Sequence, residues 1–186
     1  MEGPNLNPIE QEQLPSHFEF SQIEDTEERE QFEGKYSGIL QGISDSVTEL
    51  KSTLCIEDNG VEEGSQNMAH RYLSELSDDV DKSSRENVDF LDETAERLAY
   101  TIRALEYNER GGIPEPENMY PSLKGYDGVQ QAFEDARSFL KAINDRQEIP
   151  SITETSRKIG VLQGMIEEEQ ERMTRRVRLA EEYYRR

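Results

Sequence analysis

Four carboxylates in the segment "ENVDFLDETAERL" have the residue type and spacing that a divalent cation requires. Glu86, Asp89, Glu93 and Glu96 are separated by three or four residues, so on a helix they lie on about one face. Carboxylate oxygens are common ligands of Mg²⁺. These residues are the best candidates for enzymatic chemistry in the chain, although 41 acidic residues also produce such groupings by chance.

This segment resembles the magnesium-binding carboxylates of the all-α nucleotide pyrophosphohydrolases. The resemblance implies Mg²⁺-dependent hydrolysis of nucleoside triphosphates, and it requires a matching acidic pair on a facing helix. Asp135, or Glu167 with Glu169, would have to supply that pair. The enzyme is therefore kept as the second alternative function.

Other catalytic and metal-binding patterns are missing from the sequence. His17 and His70 do not follow a Glu-x-x-His spacing, so the di-iron bundle pattern is not present. These two histidines and Cys55, the single cysteine, do not complete a zinc site. A glycine-rich phosphate loop with lysine and a nucleophile elbow are also missing. We predict a protein that is not an enzyme and that has no metal or cofactor.

The composition predicts narrow apolar seams between helices. Hydrophobic residues make up 33% of the 186 residues, and the net charge is −20. That charge opposes direct binding to nucleic acid or to an anionic membrane. Two special explanations of the acidity stay open, namely adaptation to high salt and mimicry of nucleic acid by an inhibitor. The excess of arginine (15) over lysine (6) favours the first, whereas the excess of glutamate (30) over aspartate (11) does not.

The sequence shows no targeting or membrane-spanning segment. The start "MEGPNLNPIEQEQ" has neither a basic beginning nor an apolar run, so we expect no signal peptide. No stretch approaches the ~18 consecutive apolar residues of a transmembrane helix. We expect the protein in the cytoplasm or in a virion.

The spacing of apolar residues predicts an all-α fold, an elongated antiparallel helical bundle resembling a coiled coil, with an extended N-terminal arm. The acidic arm covers residues 1–24 and the helical domain residues 25–186. The predicted helices are at about 26–54, 65–109, 127–147 and 152–185, with a proline-containing loop over 111–126. The apolar stripe continues in phase through residues 77–88, which favours one long second helix; a break near Ser83 and Ser84 is the alternative.

Capping residues and the arm give two more local predictions. Asp25 with Glu28 and Ser151 with Glu154 have the spacing of N-terminal capping pairs. In the arm, "HFEFSQI" alternates apolar and polar residues. Its phenylalanines, Phe18 and Phe20, either pack on the chain's own helices or add to the surface of a neighbouring subunit.

Two rows of glycines at four-residue spacing lie away from the apolar stripes. The first row is Gly34, Gly38 and Gly42, and the second is Gly160 and Gly164. At about 100° per residue, the first row points roughly 140° from the centre of its stripe. A helical glycine costs about 0.5–1 kcal/mol relative to alanine. The rows are either tolerated on a solvated face or form smooth faces that another backbone approaches.

Charge is distributed unevenly along the chain. Residues 1–63 contain 16 acidic and 3 basic side chains, whereas residues 172–186 contain six arginines and two glutamates. These arginines are Arg172, Arg175, Arg176, Arg178, Arg185 and Arg186. Much of this positive charge can be paired within the helix, with a glutamate four residues before the arginine in each pair. The pairs are Glu168–Arg172, Glu171–Arg175, Glu181–Arg185 and Glu182–Arg186. The alternative is a basic end that binds an acidic partner, including the acidic half of a neighbouring copy.

Together these features favour a non-enzymatic structural or assembly component of a larger protein complex. The expected partners are other protein subunits, in a homo-oligomer or a multi-protein assembly. A head, neck or scaffold-like virion protein is one setting. An acidic inhibitor that mimics nucleic acid is the first alternative function. The candidate partner-binding residues are the two phenylalanines, the five glycines and the six arginines named above.

Overall fold

The computed structural model describes residues 18–54, 71, 73–76, 78–79, 88–106 and 116–185, and these residues form an all-α fold. A 3-10 turn, Phe20–Gln22, precedes four helices, which are α1 (Thr26–Leu54), α2 (Asp89–Glu106), α3 (Pro116–Arg146) and α4 (Pro150–Tyr184). Residues 71, 73–76 and 78–79 are also helical. None of the helices in these ranges combines the length and apolar character needed to cross a bilayer.

Several residues named above lie outside the described ranges. They are the first 17 residues of the arm, including His17, and Cys55, His70, Ser83, Ser84, Glu86 and Arg186.

Helices α1 and α3 pack against each other in antiparallel orientation. Near the start of α1, Glu28 forms an ion pair with Arg146 at the end of α3. Near the end of α1, the backbone of Leu50 lies against Gly125, which is close to the start of α3. The contacts therefore run in opposite directions along the two helices.

Helices α3 and α4 are also antiparallel neighbours. At one end, Asn144 Nδ2 donates to Thr153 Oγ1 at 2.9 Å. At the other end, the hydroxyl of Tyr120 donates to the carboxylate of Glu181. Helix α4 packs against α2 on another side, so α3 and α4 form the centre of the fold.

The apolar stripes that the sequence predicts form one continuous core. In α1, Tyr36, Ile43, Val47 and Leu50 are buried, whereas Phe32 and Ile39 are half-buried. The stripes of α3 and α4 are buried as well, with members Val129, Phe133, Ala136, Leu140, Ile143, Ile159, Leu162, Ile166, Met173, Val177 and Ala180. Tyr184, near the end of the predicted helix 152–185, is 52% exposed, so the buried stripe of α4 ends at Ala180.

The two predicted caps have different outcomes. The cap of α1 is confirmed, because Asp25 Oδ1 accepts a hydrogen bond from the Glu28 amide at 2.8 Å. The Ser151 cap is wrong, because α4 begins at Pro150 and has no side-chain cap. Proline suits the first helical position, since its φ is already helical and no N–H is needed there. The amide of Ile149, just before the helix, donates to Asn144 Oδ1 at 3.1 Å.

The prediction of a loop over 111–126 is wrong from residue 116 onward. Helix α3 begins at Pro116, eleven residues before the predicted start at 127. As in α4, a proline occupies the first helical position. Met119 and Tyr126 are buried, and Leu123 packs against the core between them. These side chains extend the apolar stripe toward the N-terminus, which favours helix over loop.

The favoured prediction of one continuous helix over 65–109 is also wrong. Val88 is not helical, and α2 starts at Asp89. Moreover, Asp79 forms an ion pair with Arg97, although eighteen residues on one helix would place them about 27 Å apart. Asp79 and Arg97 therefore do not lie on one continuous helix. Leu73 and Leu76 remain buried in the common core.

Candidate protein-interaction surfaces

The two phenylalanines of the arm belong to the chain's own core. Phe18 is 6% exposed and Phe20 is 2% exposed. The ring centroid of Phe20 lies 5.5 Å from that of Tyr36 and 6.3 Å from that of Phe139. This is the alternative in which the arm packs on its own helices, so neither phenylalanine is part of the accessible surface.

The glycines of α1 are not required by the packing of the described chain. A Cβ added at Gly34 or Gly38 would meet no atom within 4 Å, and one at Gly42 would meet only Ala132 Cβ, at 3.9 Å. All three positions are helical, where alanine would be the more stable choice. The fold therefore gives no internal reason for the row.

Two of these glycines line an open groove between α1 and α3, which we call the glycine groove. Its volume is about 390 Å³. Small residues from both helices contribute to it, together with the half-buried Phe32 and Ile39 and the buried Phe139. The lining residues are Phe32, Lys35, Gly38, Ile39, Gly42, Ala132, Asp135, Ser138, Phe139 and Ala142.

Cations flank the aromatic wall of the glycine groove. Lys35 Nζ lies 5.8 Å from the centroid of the Phe32 ring. The guanidinium carbon of Arg146 lies 5.6 Å from the same centroid. Both distances are within the range of a cation–π interaction, so both cations lie close enough to interact with the ring of Phe32.

The glycine row of α4 differs from that of α1. A Cβ at Gly160 would meet the guanidinium of Arg137 at 3.7 Å, whereas one at Gly164 would meet nothing within 4 Å. Arg137 Nη1 donates to Gln163 Oε1 at 3.3 Å, and Gln163 Nε2 donates to Glu134 Oε2 at 2.9 Å. Side chains of α3 therefore cover part of this face.

Sequence reasoning missed the glycines at which α1 and α3 approach most closely. A Cβ at Gly125 would lie 3.2 Å from Leu50 Cα, and one at Gly128 would lie 3.2 Å from Ser46 Oγ. The prediction of a loop before residue 127 concealed the role of Gly125. Gly128 lies on the predicted helix 127–147, and the stripe of Met119, Leu123 and Tyr126 is the sequence signal that places Gly125 on the same helix.

The arginines of α4 divide into paired and unpaired groups. Arg172 pairs with the buried carboxylate of Glu169, three residues earlier, instead of with Glu168. The predicted pair of Arg185 with Glu181 is present at 3.9 Å.

Arg175 and Arg178 are exposed and have no ion pair or hydrogen bond within the described ranges. The predicted Glu171–Arg175 pair is thus not formed, and the Glu182–Arg186 pair lies outside those ranges. Arg176 is half-buried and has interactions of its own.

Large apolar side chains are exposed beside the unpaired arginines. Leu179 is 56% exposed and Tyr183 is 62% exposed. Together with Arg175 and Arg178, these two residues define what we call the basic end of α4. Nearby, the hydrogen bond that Tyr120 donates to Glu181 raises the pKa of the Tyr120 hydroxyl. Sequence reasoning did not single out Leu179 and Tyr183, because a position outside the apolar stripe does not by itself mark a contact surface.

In the part of the chain that the structure describes, the candidate magnesium carboxylates Asp89, Glu93 and Glu96 are not grouped with a second acidic pair into a metal site. Helix α2 packs on α4 through Asp92, which accepts from Lys158 Nζ at 2.6 Å and from Thr155 Oγ1 at 3.3 Å. The hydrogen bond to Asp92 raises the pKa of Lys158. Within the described part of the chain, no group of three or more His, Cys, Asp or Glu side chains is arranged to bind a metal.

The three acidic residues that the resemblance needed on a facing helix lie elsewhere. Asp135 lines the glycine groove on α3. Glu167 accepts a hydrogen bond from Gln130 at 3.2 Å, and Glu169 pairs with Arg172. The structure therefore does not bring these carboxylates opposite Glu93 and Glu96 on α2.

Comparison with protein-family models, with curated proteins and with solved structures finds no match for this chain.

Proposed function

We propose that the protein is a non-enzymatic structural or assembly component, which binds another protein subunit through the glycine groove. The observation that supports this proposal is that Gly38 and Gly42, which line the groove, have room for a side chain: a Cβ at Gly38 would meet no atom within 4 Å, and one at Gly42 only Ala132 Cβ at 3.9 Å. Each glycine weakens α1 by about 0.5–1 kcal/mol relative to alanine. A partner that approaches the helix backbone in the groove would explain why positions 38 and 42 are glycine.

The groove fits an amphipathic helix of the partner. Its small lining residues allow a second backbone to come close, and its aromatic and aliphatic side chains offer apolar contact. Lys35 and Asp135 are exposed on opposite helices of the groove and would orient the partner by charge. Helices bound in apolar grooves are a common mode of protein recognition.

The proposed setting is a multi-subunit assembly in the cytoplasm or in a virion. The net charge of −20 makes nucleic acid an unfavourable direct ligand. A subunit that contributes long helices and a protein-binding groove would serve as a connecting or scaffold-like part of such an assembly.

The test compares two substitutions on the same helix. Gly38→Gln places a polar side chain in the groove, whereas Gly34→Gln places the same side chain on α1 outside the groove lining. Because neither Cβ meets a neighbouring atom, both variants should fold, which circular dichroism and thermal unfolding would verify. The subunit bound to the wild type, quantified by mass spectrometry after affinity purification from source cells, should be lost only with Gly38→Gln.

Equal retention of that subunit by both variants would contradict the groove as its binding site. Wild-type protein that is purified without any stoichiometric partner would count against the assembly role itself.

A further inference from the structure

The basic end of α4 has the features of a contact surface that the described chain leaves uncovered. Arg175, Leu179 and Tyr183 are four residues apart and form one row along the last turns of the helix. Leu179 and Tyr183 are more than half exposed, and Arg175 and Arg178 have no partner in the described ranges. Tyrosine and arginine are enriched in protein interfaces and among the residues that dominate binding energy.

The start of α1 carries the opposite charge. Glu24, Glu27, Glu30 and Glu33 are exposed, and none of them forms an ion pair with another described residue. We call these four residues the acidic end of α1. In contrast, the carboxylate of the nearby Glu28 is already paired with Arg146.

The two charged ends lie at opposite ends of the helical layer. Since α1 is antiparallel to α3 and α3 is antiparallel to α4, the end of α4 is far from the start of α1. Helix α3 runs from beside the end of α4 to beside the start of α1. It has 31 residues and is therefore about 46 Å long. A chain cannot bring its own acidic end onto its own basic end.

We infer that the basic end of α4 binds the acidic end of α1 in a second copy of the chain. The unpaired arginines would meet the unpaired glutamates, while Leu179 and Tyr183 would supply the apolar contact. A net charge of −20 opposes side-by-side contact between copies, whereas end-to-end contact places positive charge on negative charge. Such a contact is heterologous, so copies would form an open chain or a closed ring.

The inference uses a surface other than the glycine groove and does not depend on the proposed function. The test uses two charge-reversed full-length proteins. Arg175→Glu/Arg178→Glu reverses the basic end. Glu30→Arg/Glu33→Arg reverses part of the acidic end and leaves Glu27 and Glu28 in the first turn of α1 unchanged.

Association is measured by sedimentation velocity over a range of protein concentrations. The average mass of the wild-type species in solution should increase with protein concentration. Each reversed protein alone should associate at least about tenfold more weakly than the wild type. An equimolar mixture of the two should recover association, because each mixed contact again joins opposite charges. Arg103→Glu, at an exposed arginine on α2, is a control that should associate like the wild type.

Two results would overturn the inference. One is a wild type that stays monomeric up to about 1 mM, which would mean that another protein or another segment of the same chain covers the basic end. The other is a mixture that fails to recover association although both reversed proteins are folded, since end-to-end pairing demands recovery.

Discussion

Tyr36 shows how a single buried polar atom affects this core. The residue is fully buried and its ring stacks on Phe139, with centroids 5.7 Å apart and an interplanar angle of 17°. Its hydroxyl has no hydrogen-bond partner among the residues that the structure describes. The ring therefore stabilises the fold, whereas the hydroxyl loses its hydration without compensation. Burial, with a smaller contribution from the charge of Asp89, raises the pKa of Tyr36 far above the usual 10.0.

Tyr36→Phe should raise the free energy of unfolding by about 1 kcal/mol at neutral pH, because it removes a buried polar group without a partner. The raised pKa also has a consequence at high pH. Above pH 10.0 the unfolded chain releases the proton of Tyr36 while the folded chain keeps it, so the wild type loses stability as pH rises further. The variant lacks this loss. Urea unfolding of both proteins at neutral and alkaline pH measures the difference, and a destabilised variant would indicate an undetected partner of the hydroxyl.

At the scale of helices, the glycines of this chain serve different purposes. At Gly125 the backbones of α1 and α3 come close, and an added Cβ would lie 3.2 Å from Leu50 Cα and 3.3 Å from its Cδ1. At Gly34 there is open space. The same substitution should therefore have opposite effects on stability at the two positions.

Gly34→Ala should raise the free energy of unfolding by about 0.5–1 kcal/mol through helix propensity. Gly125→Ala gains the same propensity, but over-packing against Leu50 costs about 1–3 kcal/mol, so the net effect should be destabilising. Chemical denaturation of the two variants beside the wild type measures both changes. A stabilised Gly125→Ala would show that α1 and α3 separate easily, and the close approach would then not hold the helices in place.

The sequence predicts most of α1, α3 and α4 because burial there follows one helical period. Ile43, Val47 and Leu50 are buried at this helical spacing in α1. Asp25 caps the start of the helix, as its residue type and position predict. The sequence prediction places the start of α3 eleven residues too late, because the prolines at 116 and 121 are typical of a loop, whereas Met119 and Tyr126 are buried on the helix. Burial of these apolar side chains outweighs the tendency of Pro121 to interrupt a helix.

Two features could not be obtained from periodicity. The residues between Asp79 and Val88 include neither glycine nor proline, and their apolar positions stay in phase, so periodicity favours one helix over the break near Ser83 and Ser84, whereas the Asp79–Arg97 pair shows that these two residues are not on one continuous helix. The exposure of Leu179 and Tyr183 depends on which faces of α4 its neighbours cover. Periodicity identifies a buried face, but it does not identify the exposed side chains that a partner could contact.

At the scale of the whole molecule, a limited apolar content still produces a continuous core. Hydrophobic residues make up 33% of the chain, yet the buried ones join into one cluster that extends from Phe18 in the arm to Ala180 in α4. The seams expected from the composition therefore meet around α3 and α4. The negative charge of the chain is not balanced, because 41 acidic residues are accompanied by only 21 basic ones.

Added salt should consequently stabilise the monomer. Repulsion among exposed carboxylates, such as Glu27, Glu30 and Glu33, opposes the folded state at low ionic strength, and screening becomes strong as the Debye length falls from about 30 Å at 0.01 M to about 3 Å at 1 M salt. The surface ion pairs that salt weakens are individually worth only about 0–1 kcal/mol. The melting temperature of dilute protein should therefore rise steadily with NaCl concentration.

A variant separates this charge effect from general effects of salt on protein hydration. Glu30→Gln/Glu33→Gln removes two of the exposed charges without reversing them, so its melting temperature should exceed that of the wild type at low salt. The two proteins should converge at high salt, where the charges are screened in both. If the difference persists unchanged in 1 M NaCl, helix propensity or packing at these positions explains it. Repulsion within the acidic surface would then not be what limits the stability of the monomer.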